Sequence, residues 1–170
     1  TQSRSSAASD VYKRQVARRA TGRQAVVAFE GAFHGRTYMA LSLTAKAPAY
    51  KSGFGPFAPE VYRAPFPVRY RSGLSESESA QAAFEAFRRL VETEITPEQL
   101  AAVIIEPIQG EGGFHDAPPA FLQALRAYCT QHGIVLIADE IQSGFCRTGE
   151  WFATGHAGIE ADLYTLAKSM

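Results

Sequence analysis

Lys168 stands two residues from the end of the chain, in ADLYTLAKSM, and follows an acidic pair, Asp139-Glu140, that closes the apolar run GIVLIADE. An aspartate at the end of a buried strand can hold its carboxylate against a protonated pyridine nitrogen. A lysine at the end of a neighbouring strand can form a Schiff base with an aldehyde. Together the two read as the layout of a pyridoxal phosphate site. The 29 positions from Asp139 to Lys168 leave room for a turn, a short helix and a further strand, which one crossover in a parallel sheet requires. Both side chains would then project from the same sheet edge, where ligands of open α/β sheets lie. By spacing alone, a solvated aspartate capping a helix and a surface lysine would serve equally well.

The segments that must carry these residues alternate between helix and strand. A helix end at 16–20 precedes a strand at 24–29, and a helix is predicted over 35–42. Residues 44–70 are rich in Pro, Gly and aromatics, with a short strand at 61–63, an excursion of the kind found near sites. Residues 75–94 read as an amphipathic helix, with Ala80, Ala83, Phe84, Phe87, Leu90 and Val91 at three- and four-residue steps and Thr96-Pro97 as punctuation. The run AAVIIE is a strand. A helix over 119–132 starts with proline and ends at Gly133, and the strand 134–138 follows. Continuous apolar runs such as VIIE and IVLIAD point to strands buried on both faces. The predicted architecture is therefore α/β, a mostly parallel sheet with helices on both faces.

Composition narrows the function classes. Of 170 residues, 46% are hydrophobic and 20% charged, with Lys+Arg and Asp+Glu both 17, so nothing electrostatic favours nucleic acid or an anionic membrane as partner. No apolar stretch reads as a membrane span. Cys129 and Cys146 follow no metal-ligand spacing and suit a reducing compartment, so the cytoplasm is the expected location. The opening TQSRSSAASDVYKRQ is polar and aperiodic. Residues 1–15 are accordingly expected to be a disordered, adapter-derived leader, and 16–170 a partial cofactor-binding domain.

Four stretches in register, FEGAFHGRT, VIIEPIQGEGG, GIVLIADEIQSGFCRTG and DLYTLAKSM, resemble the class III, or omega, aminotransferases of the fold type I pyridoxal phosphate enzymes. The resemblance runs from about Val16 to Met170. It implies pyridoxal 5'-phosphate as cofactor and the transfer of an amino group from a terminal amine such as 4-aminobutyrate to a 2-oxo acid, 2-oxoglutarate. Asp139 would keep the ring nitrogen protonated, because a buried carboxylate beside a pyridinium favours the charged ring. Lys168 would hold the cofactor and later shuttle the proton, a task that needs desolvation to free its amine near neutral pH. Gln142 would meet the phenolic oxygen, and Phe33 would stack on the ring. His34 would form part of the wall, with a packing histidine the equal alternative. Arg36 would receive a substrate carboxylate through a bidentate fork. Glu106 and Glu111 would lie near the substrate, one of them gating an arginine further along a complete chain. Paired carboxylates also suit glycoside hydrolysis, but that chemistry has no use for Lys168 or Asp139. The GEGG glycines lack the Lys-Ser pair of a phosphate loop.

Several family features are missing from the 170 residues: the phosphate-gripping turn before Val16, the glycines after the lysine, and the small C-terminal domain with its arginine. The resemblance therefore implies a parent enzyme that is a homodimer or a dimer of dimers, and a segment inactive by itself. Two alternatives stay open. One keeps the cofactor and takes acetylornithine, ornithine or another diamine, or catalyses racemisation. The other is a catalytically dead binding module that keeps the fold.

Overall fold

The computed structural model describes residues 13–70 and 72–168. The first described element is a helix, α1, over 13–21, so residues 13–15 are helical where a disordered leader was expected; residues 1–12 of that leader lie outside the described residues. Strand β1, Ala25–Phe29, leads to helix α2, Tyr38–Leu43. This helix starts three residues later than predicted. The Thr37 side chain accepts a hydrogen bond from the Ala40 N–H and caps the first turn, while Gly35, at φ 110°, is not helical. The aromatic excursion contains one wide helical turn, Ala47–Lys51, and an edge strand, β2, Val61–Ala64.

Helix α3, Glu76–Leu90, opens with a reciprocal capping box between Ser75 and Glu78 and continues through a wider turn, Val91–Ile95. Strand β3, Leu100–Ile105, is followed by the small antiparallel pair β4, Ile108–Gln109, and β5, His115–Asp116. The one-turn helix α4, Gly110–Gly113, lies between them. Helix α5, Pro119–His132, has the predicted bounds and ends on Gly133 in the left-handed conformation. Strand β6, Val135–Asp139, a short 3₁₀ turn, Ala153–Ala157, and strand β7, Leu163–Thr165, complete the chain.

The five main strands form a parallel sheet in the order β2-β1-β3-β6-β7. All six residues of β3, at its centre, are buried, and the two faces feed two separate cores. On one, Phe29 meets Phe121 edge-on at 5.7 Å, beside Phe87, Leu125 and Tyr128 from α3 and α5. On the other, Val26, Ala28, Ile104 and Ile137 pack with Ala17 of α1 and Leu43 of α2. Covering both faces removes the apolar strands from water, which is the main stabilising term of such a sheet. Among the described residues no helix is long and apolar enough to cross a membrane, and no cluster of three or more His, Cys, Asp or Glu could hold a metal ion.

Candidate active site

Strands β6 and β7 are register neighbours, Asp139 opposite Thr165, so Asp139 and the segment after β7 reach the same carboxyl edge of the sheet. One cleft there is lined by Phe33, His34, Glu106, Asp139, Gln142 and Lys168. The six come from four places in the chain: the loop after β1, the end of β3, the end of β6 and the loop after β7. Six of the eight residues singled out from the sequence thus share one space.

Asp139 is its electrostatic centre. Burial by itself would raise the Asp139 carboxyl, but the Lys13 ammonium at 3.6 Å and the His34 ring at 2.8 Å outweigh it and hold the group at about 2. An ionised carboxylate accepts only, so His34 Nδ1 carries the hydrogen of that bond. The Asp139 Oδ1 atom also accepts the Ile141 N–H at 3.3 Å. His34 is itself fixed from behind. Its N–H donates to Thr44 Oγ1 at 3.0 Å, and the Thr44 hydroxyl donates to the Gly35 carbonyl at 2.9 Å. Its Nε2 atom is buried without a hydrogen-bond partner.

Glu106 forms the floor. It is buried and accepts the Phe33 N–H at 2.9 Å, fixing the loop that carries Phe33 and His34. Burial, helped by the Asp139 charge, pushes its carboxyl up to about 7 against the opposing pull of His34 and the N–H groups of Phe33 and Gly110. Glu111 differs: it is exposed at the rim, five positions along the chain. Arg36 is exposed there too, its guanidinium 4.8 Å above the Tyr50 ring. Neither lines the inner cleft.

The glycines of the GEGG stretch have a packing reason. A Cβ on Gly110 would fall 2.4 Å from Gln142 Oε1, and one on Gly112 would fall 2.5 Å from Gln109 Oε1. Gln109 is buried and donates to the Glu30 carbonyl at 2.7 Å, tying this turn to the end of β1. Glu140, which the sequence leaves without a role, is fully buried and accepts hydrogen bonds from Ser143 Oγ at 2.5 Å and from the N–H groups of Ala153 and Thr154 at 3.0 Å. It therefore fastens the loop after β6, which carries Gln142, to the 3₁₀ turn.

Two expectations change. Lys168 is exposed rather than desolvated, on a left-handed residue, φ 58°, three positions beyond β7; it stands at the mouth of the cleft. Lys13, grouped with the leader on composition, is buried against Asp139. No local signal marks it, because its partner comes from the far end of the chain. A roomier groove between α3 and α5, lined by Phe84, Arg88, Tyr128 and His132, contains none of the site residues.

The donor set fits pyridoxal phosphate. A carboxylate kept ionised in a buried position, an aromatic ring, an amide and a lysine line one cleft. The class-III aminotransferase family model matches residues 1–170. The chain is 48% identical over 158 residues to a probable 4-aminobutyrate aminotransferase of Bacillus subtilis, covering 92% of this chain and 36% of that one. It is equally 48% identical to the 5-aminovalerate aminotransferase of Pseudomonas aeruginosa, covering 92% and 35%. The chain thus spans about a third of the length of the curated relatives it matches. A solved (S)-enantioselective omega-transaminase from Thermomicrobium roseum superposes with a TM-score of 0.84 at 33% identity, over 98% of this chain and 37% of that one.

Proposed function

Because this chain belongs to the class-III aminotransferases, we propose that it is the cofactor-binding segment of an enzyme that moves the amino group of a terminal amine to 2-oxoglutarate. The first substrate is 4-aminobutyrate, giving succinate semialdehyde and glutamate. A five-carbon ω-amino acid is the second reading, favoured by the relative named for 5-aminovalerate. The observation that carries the proposal is the buried Asp139, kept ionised by Lys13 and His34, with Lys168 at the mouth of the same cleft.

Pyridoxal 5'-phosphate, when bound, supplies the electron sink that makes the hydrogen on the amine-bearing carbon acidic. The protein's residues do the rest. Asp139 would accept the hydrogen bond of the protonated ring nitrogen, and His34 orients that carboxylate through Nδ1. Phe33, its backbone fixed on Glu106, offers an apolar face. Gln142 would offer its amide to the phenolic oxygen. The Nζ atom of Lys168, exposed at the mouth of the cleft in this segment, would hold the cofactor and, once the substrate amine has displaced it, would take the proton from the substrate carbon. Arg36 receives the substrate carboxylate from the rim. The parent works in the cytoplasm as a homodimer or a dimer of dimers, and the 170-residue segment alone has no turnover.

The test is an absorbance spectrum of the parent polypeptide with pyridoxal phosphate, before and after borohydride. A visible band lost on reduction, with the modification mapped to Lys168, is expected. A folded sample with no band, or with the label on another lysine, would remove this reading in favour of a catalytically silent module.

A further inference from the structure

Tyr50 lies on the wide turn Ala47–Lys51, in the aromatic excursion between α2 and β2, and has no place in the chemistry described above. Its side chain nevertheless touches two residues that do, Phe33 and Arg36, and Glu111 at the rim. Its ring lies 5.0 Å from the Phe33 ring, tilted by 60°. The Arg36 guanidinium sits 4.8 Å above its centroid. Its hydroxyl donates to Glu111 Oε2 at 3.2 Å, and Lys46 Nζ donates to the Glu111 main-chain oxygen. One half-buried tyrosine therefore stands between an exposed cation and an exposed anion, with the ring under the first and the hydroxyl on the second.

That arrangement addresses a problem any carboxylate receptor faces. An arginine and a glutamate at the same rim attract each other, and a guanidinium already paired with Glu111 has fewer N–H groups to give a substrate. Tyr50 separates the functions. Its π face holds the guanidinium without using up the N–H groups as hydrogen-bond donors, while its hydroxyl occupies one Glu111 carboxylate oxygen.

We propose that Tyr50 is the positioning residue for carboxylate recognition, holding Arg36 presented and Glu111 apart from it, so that the site prefers amines carrying a distal carboxylate over simple amines. The inference rests on the functional reading given above.

The test uses the parent enzyme loaded with cofactor and compares 4-aminobutyrate with butylamine, in which a methyl replaces the carboxylate. Tyr50→Leu keeps an apolar side chain against Phe33, removes the contacts to Arg36 and Glu111, and raises KM for 4-aminobutyrate about 2- to 5-fold, the scale of an exposed cation–π contact, with kcat and both constants for butylamine unchanged. Tyr50→Phe keeps the ring and frees Glu111. It raises the same KM about 2-fold, the scale of one exposed ion pair, and adding Glu111→Gln returns it to the wild-type value. An equal effect on both amines, or no rescue by Glu111→Gln, overturns the proposal. Calorimetric titration with butyrate, which has the carboxylate and no amine, is read independently of turnover and shows the same 2- to 5-fold weakening in Tyr50→Leu. An enzyme that converts neither amine refutes the functional reading, while an unchanged butyrate affinity refutes the role of Tyr50.

Discussion

Replacing Glu106 by glutamine should make the cofactor-free protein more stable at pH 8 and leave it nearly unchanged at pH 5. The carboxyl titrates at 4.5 in an unfolded chain and at about 7 in the fold, because burial disfavours the charge and Asp139 adds repulsion. Below pH 4.5 both states carry the proton and the group contributes no pH dependence. Between 4.5 and 7 the unfolded chain releases its proton while the folded one retains it, so stability falls as pH rises. Above 7 the loss is complete, on the order of 3 kcal/mol. Glutamine stays neutral and its amide oxygen can still accept the Phe33 N–H, so the variant escapes the loss. For a domain of this size that is a melting temperature roughly 6–12 °C above wild type at pH 8. Asp139, held at about 2, acts in the opposite direction, adding stability above 3.8 that is lost only as pH falls toward 2. The two windows do not overlap. Thermal melts of both proteins from pH 5 to 8 decide the matter, and a constant offset across that range would refute the assignment of a buried, proton-retaining Glu106.

Lys13→Met should tighten pyridoxal phosphate binding, since the ammonium 3.6 Å from Asp139 holds the carboxylate that the ring nitrogen needs; a spectroscopic titration with equal affinities for both proteins would count against this. Gly110→Ala should leave the melting temperature within a few degrees but weaken cofactor binding, because the added methyl falls 2.4 Å from Gln142 Oε1 and the flexible amide must swing away. Phe87→Ala should cost about 3–5 kcal/mol in denaturant unfolding, as expected for a fully buried aromatic between α3 and α5 that Tyr128 contacts edge-on at 5.4 Å.

What the sequence revealed follows from how local each signal is. Helix α5 is bounded by its own residues, a proline in the first turn and Gly133 at the end, and so its limits are readable from a short window. The parallel sheet is readable because strands buried on both faces cannot alternate. The start of α2 depends on which of several polar residues caps it, and Thr37 wins over the glycine that periodicity alone would include. Lys13 and Tyr50 were not legible, since each acquires meaning only from a partner supplied by sheet order. Asp139 comes from the fourth strand of the five, and Glu111 from the turn between β4 and β5. The exposure of Lys168 was equally hidden, because apolar neighbours in sequence, Leu166 and Ala167, say nothing of how far the chain has left the strand.

The order of the strands also explains why one carboxylate can organise so many distant groups. With β3 and β6 paired at the centre and β1 and β7 beside them, loops that leave the carboxyl ends must converge above the middle of the sheet. The loop after β1 brings His34, β3 brings Glu106, β6 brings Asp139, and the segment after β7 brings Lys168. A lone ion in that position would carry a desolvation cost of several kcal/mol. Asp139 carries its charge there because Lys13 and His34 both face it, while Glu106, buried without an ion-pair partner, is raised to about 7 and keeps its proton about half the time at neutral pH. One anion matched by an ammonium and a ring N–H and one acid that titrates near neutrality therefore lie side by side. That division makes Asp139, and not Glu106, the group able to hold a charged ring nitrogen.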